Sequence, residues 1–132
     1  MVRILTPAVA YFAVVFAAGF VLGTVRVFLL QWHATLGTAF AFAELPAMLW
    51  ISWRACGWML AAFAVSDQVT PRALIGLIAF ALLMAAEAAL AVLAFGRTLT
   101  EHVASYRQPI VAAGLVAQIA FAAFPVIRRR TR

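Results

Sequence analysis

Four long apolar runs, parted by short polar breaks, take up most of this 132-residue chain. They extend from about Pro7 to Leu30, Thr38 to Val65, Ala73 to Phe95 and Ile110 to Ile127. A helix rises ~1.5 Å per residue, so about 20 apolar residues cross a hydrocarbon core of ~30 Å. The expected fold class is therefore all-α, a polytopic membrane protein built as a four-transmembrane-helix bundle. Residues 1–132 read as a single membrane domain, with no convincing internal repeat and no dividing linker.

Composition agrees with this reading. Some 67% of the residues are apolar and 11% charged, too few polar groups to clothe a soluble domain. Lipid removes that requirement, provided the backbone satisfies its own hydrogen bonds. The first run is too long for the apolar part of a signal peptide, and no small-residue cleavage motif follows it at a suitable distance, so it is expected to be retained. Pro7 is expected in the first turn of its helix, and Pro46 marks a bend in the second. The single cysteine, Cys56, excludes an intramolecular disulfide and a multi-cysteine metal site; it reads as a small buried hydrophobe.

The net charge is +6, and all ten basic residues are arginine. They are scattered, except for Arg128, Arg129, Arg130 and Arg132 in the C-terminal tail. That pattern argues against nucleic acid and for a topology signal or a contact to anionic lipid. Four spans put both termini on one side. The tail, with Arg3 and Arg72, favours the cytoplasmic side. Arginine in place of lysine, with abundant alanine, points to a GC-rich bacterial genome. The expected location is thus a bacterial inner membrane with cytoplasmic N- and C-termini.

Four ionisable residues fall inside the apolar runs: Arg26, Glu44, Arg54 and Glu87. A charge at mid-bilayer costs about 2.5–3.5 kcal/mol on insertion scales, so such residues pair or line a polar cavity. Counting helical rise puts Arg26 ~6 Å, Glu44 ~9 Å and Glu87 ~10 Å below the same, outer face. Three charges on three helices share one depth. Gly19 and Gly23 form a GxxxG pair on the face that carries Arg26, which lets a partner helix approach closely. A cluster of Arg26, Glu44 and Glu87 is therefore expected, with Gln118 of the fourth span adding a neutral hydrogen bond. One arginine neutralises one carboxylate; the other needs a proton, a second cation or water. The cluster is a candidate proton- or cation-binding site, and a static ion pair that fixes helix packing is the competing reading. Arg54 falls ~24 Å down the second span, where its side chain can snorkel to the inner face or lie on the Trp50 indole. Trp32 suits an interfacial aromatic belt.

A second constellation is His33, Glu101 and His102 at the outer surface, a donor set that suits zinc, another transition metal or a haem. Its spacing is not diagnostic, and loop histidines are more often plain solvated residues. No P-loop, GxSxG, HExxH, CxxC or nucleotide fingerprint is present, so the sequence requires no cofactor. Three function classes follow. The first is a small transporter or channel acting as a homo-oligomer, because four helices barely enclose a pathway. The second is an accessory or scaffold subunit of a larger membrane complex. The third is a membrane enzyme or metal protein using His33 and His102.

Overall fold

The computed structural model describes residues 2–128, which fold into five α-helices and one 3-10 turn, with no strand among the described residues. The tail arginines Arg129, Arg130 and Arg132, expected as a topology signal, lie outside the described residues. Four helices are long and apolar enough to cross a membrane: α1 (Val2–Trp32), α2 (Ala34–Ala62), α3 (Val69–Leu93) and α5 (Pro109–Ile127). The short helix α4 (Leu99–Ala104) and a 3-10 turn (Ser105–Arg107) lie between α3 and α5.

The helices outrun the apolar runs at most ends. α1 begins at Val2, so Pro7 lies inside the helix and not in its first turn. The cost is small, because its missing N–H leaves only the carbonyl of exposed Arg3 without its helical partner. α2 continues through Pro46. α3 starts at Val69, which puts Pro71 in the first turn, and Pro109 opens α5. The break expected over Gln31–Gly37 shrinks to one extended residue, His33 (φ −157°, ψ 106°). The His33 Nδ1 accepts the Leu36 N–H at 3.3 Å and caps α2. Gly37 permits so sharp a reversal, since a side chain there would run into Leu30.

α1 packs on α2 and α3, and α5 packs on the same two, so the ring order is α1–α2–α5–α3. Successive helices form two antiparallel hairpins. In the first, Gly19 faces Met48 and Arg26 meets Glu44; in the second, Gly76 lies against the Ala122 carbonyl and Glu87 meets Gln118. The link from Phe63 to Gln68 therefore crosses the bundle diagonally. The hairpin turns gather at one end, here the turn end; the start of α1, the end of α5 and the 63–68 link share the other, here the terminal end.

The apolar core sits in the terminal half. Ala8, Tyr11, Val15, Cys56, Met59, Ile75, Ala79, Leu83 and Phe121 form one buried cluster there. Tyr11 spans the diagonal, stacking on Phe121 at 4.2 Å and donating its hydroxyl to the Phe121 carbonyl at 2.7 Å. That carbonyl would pair with the N–H of residue 125, but Pro125 has none. The terminal end is closed by Arg72, which is 2% exposed. Its guanidinium donates to the carbonyls of Ser66 (2.9 Å), Pro125 (3.2 Å) and Arg128. It also pairs with Asp67 at 3.0 Å, at an angle that makes no hydrogen bond. The exposed chain end of α5 is thereby fastened to the 63–68 link.

Candidate functional site

The polar residues singled out in the sequence meet in the turn half of the bundle. Arg26 and Glu87 each stand six residues before the end of their helices. Glu44 and Gln118 stand ten and nine residues after the start of theirs. Antiparallel pairing then brings the four to one level. Arg26 Nη1 donates to Glu44 Oε2 at 2.5 Å within the first hairpin. Gln118 Nε2 donates to Glu87 Oε1 at 2.5 Å within the second.

The two pairs are neighbours across the α1–α3 contact, and Arg26 is near enough to act on Glu87 through charge. The Arg26 guanidinium folds back beside Gly23, one turn before it, at a distance where even a side chain would make only ordinary contact. The Glu44 side chain is 10% exposed and that of Arg26 37% exposed, so the ion pair opens at the bundle flank. Gln118 Oε1 is buried and accepts no hydrogen bond. It is an orphan acceptor beside a carboxylate, and such a group calls for a donor.

Tyr106 of the 3-10 turn closes the site from the turn end, with its hydroxyl 4.0 Å from Met84 Sδ, one turn before Glu87. Burial pushes its phenol above the ordinary value, and the charge of Glu87 adds to that rise. In the sequence Tyr106 is one of several residues in the polar stretch between the third and fourth apolar runs.

The chain matches no family model, no curated protein and no solved structure. Its function must be read from its own side chains.

The second constellation does not gather. Among the described residues no group of three or more His, Cys, Asp or Glu side chains comes together at metal-ligand spacing. His33 is engaged as the α2 cap through Nδ1. Glu101 lies exposed in the first turn of α4, where Thr98 caps its N–H at 3.1 Å. His102 stacks edge-on against Tyr106 at 5.5 Å. Local helix chemistry uses these residues separately, so the expected metal site at His33, Glu101 and His102 has no geometric basis.

Two further arginines sit in the terminal half. Arg128 lies over the Trp53 ring at 4.7 Å and donates to the Trp53 carbonyl at 2.6 Å. Gly57 makes room for it, since a side chain there would meet the Arg128 guanidinium. Arg54 lies 5.8 Å from the Trp50 ring centre, on the outer surface of α2. The buried role of Arg72 differs from its reading in the sequence, where it counts with Arg3 and the tail as a topology charge. One signal was available: arginine in the first turn of an apolar helix, placed to reach the last carbonyls of a neighbour.

Proposed function

We propose that this chain lies in a bilayer, in a bacterial inner membrane with cytoplasmic termini, and works as a small proton- or cation-coupled transporter or channel. The observation that carries the reading is the state of Glu87. Its one hydrogen-bond partner is a neutral amide, while the neighbouring guanidinium of Arg26 is bound to Glu44. A carboxylate so placed in a low-dielectric span takes up a proton or a metal cation to reach neutrality. Gln118 suits both states. An ionised Glu87 accepts from Nε2; after a half-turn of the amide, a protonated Glu87 donates to Oε1, the atom that now has no donor. Arg26, Glu44, Glu87 and Gln118 are the proposed ion-binding residues.

The homo-oligomer belongs to the same proposal. The site opens at the flank of the turn half, away from the buried core, so a second copy against that flank would complete a pathway. The test is flux in proteoliposomes under a potassium diffusion potential, read with an internal pH dye and, separately, with a sodium indicator. Glu87→Gln is expected to abolish the coupled flux while the protein keeps its helicity and elution volume. Unchanged flux overturns the role given to Glu87.

A second reading has its own support. Each polar pair joins two helices of one hairpin, as an assembly device would, and this favours an accessory or scaffold subunit of a larger membrane complex. Mild extraction from the native membrane separates the two. A larger protein at fixed stoichiometry supports the scaffold, and a clean homo-oligomer supports the transporter.

A further inference from the structure

We infer that the α1–α2 face of the terminal half holds the headgroup of one anionic phospholipid, with its phosphate at Arg54. The inference rests on the membrane setting proposed above and is independent of the ion site. Val14 of α1 and Trp50, Ile51, Arg54, Ala55 and Trp58 of α2 line an open groove of ≈ 450 Å³. Trp50 and Trp58 stand one helical turn either side of Arg54 and are 65% and 51% exposed. The groove thus offers one guanidinium between two amphipathic rings, above an apolar floor of Ile51 and Ala55.

Depth gives the headgroup its place. The 29 residues of α2 span ~43 Å against a hydrocarbon core of ~30 Å, and Arg54 lies ~12 Å from the helix end, so it falls near the acyl–headgroup boundary. Arg54 does not turn toward water at the terminal end. Its guanidinium leans over Trp50, one turn nearer the N-terminus of α2, as helical side chains do. It pairs with no carboxylate among the described residues, whose two ion pairs use Arg26 and Arg72. An exposed cation without a carboxylate partner takes an anionic oxygen, and a phosphodiester supplies one in fork geometry. The same end carries Arg3, Arg72 and Arg128 against Asp67 alone, a positive field that draws anionic headgroups. The groove floor and the two indoles accept the upper part of an acyl chain.

Native mass spectrometry of the full chain in mild detergent tests this, with equal amounts of phosphatidylglycerol and phosphatidylcholine of identical acyl chains. Wild type is expected to retain phosphatidylglycerol about tenfold better, the scale of one charge-assisted hydrogen bond. Arg54→Gln is expected to lose that preference, and Arg3→Gln, at the same end but outside the groove, to keep it. Equal retention of the two lipids by wild type overturns the inference, as does an equal loss in both variants. Retention of neither lipid overturns it too. A second readout needs no variant: brominated phosphatidylglycerol is expected to quench tryptophan fluorescence more than brominated phosphatidylcholine, and equal quenching overturns the site.

Discussion

Tyr11 and Pro125 explain each other. The proline withholds the N–H that the Phe121 carbonyl would accept, and the tyrosine hydroxyl supplies it across the diagonal of the bundle. Tyr11→Phe is expected to destabilise the protein by about 1–3 kcal/mol, because it leaves a buried acceptor unpaired. Adding Pro125→Ala should recover most of that loss, since alanine restores the helical donor. Equilibrium unfolding of both variants in mixed micelles measures the two effects. Tyr106 offers a test by pH. With its phenol raised by burial and by Glu87, the stability tied to the neutral form is complete below the ordinary phenol range. It declines as pH rises through the raised value. In a Tyr11→Phe background, absorbance at 295 nm should show Tyr106 ionising later than free tyrosine, and Glu87→Gln should move it part of the way back. At this scale the sequence was informative about Arg26, Glu44 and Glu87, because helical rise converts residue number into depth. It could not say which carboxylate takes the arginine, because depth leaves the rotation of each helix open. Tyr11 was hidden for another reason: its partner is a backbone carbonyl, which leaves no mark on composition.

Helix ends are where sequence and structure part most. An apolar run marks the stretch suited to hydrocarbon, whereas a helix extends wherever its backbone bonds can continue. α1 and α3 therefore begin ahead of their runs, in stretches that carry Arg3 and Arg72. The end of α2 has an identifiable cause. Ala64 adopts φ 47°, the Ala64 N–H bonds to the Ala61 carbonyl at 3.2 Å, and the Val65 N–H bonds to the Leu60 carbonyl at 3.1 Å. This is a Schellman closure with alanine where glycine is easiest. Ala64→Gly is expected to stabilise by about 1 kcal/mol, read as a raised unfolding midpoint. Gly76 is the opposite case. A side chain there would strike the Ala122 carbonyl, so Gly76→Ala is expected to push α3 from α5 and cost about 1–3 kcal/mol. Helix α4 is marked in the sequence by Thr98 and Glu101, which have the S/T-x-x-E spacing of a capped helix start.

Over the whole molecule, packing and polarity are separated along the bundle axis. The buried cluster holds the terminal half together, and the polar pairs occupy the turn half, where few residues are buried. A rigid half joined to a looser one suits the proposed ion site, which has to change its protonation or its contents. Exchange of backbone amides in detergent is expected to be slowest around Met59, Ile75 and Ala79 and faster near Glu44 and Gln118. Uniform exchange along the helices would contradict that division. The architecture of four long apolar helices was legible because apolar length is so strong a signal. The ring order was not, because nothing in the periodicity of such evenly apolar helices says which face meets which neighbour. The hairpin arrangement also bears on how the chain is made. Arg26 meets Glu44 before the third helix has been synthesised, so in the proposed membrane setting the first half leaves the insertion machinery with opposite charges already joined. Glu87 emerges later and waits only for Gln118. Each hairpin is then delivered to lipid with its own polar pair already joined, while buried Arg72 gains its last two carbonyl partners only when the end of α5 arrives.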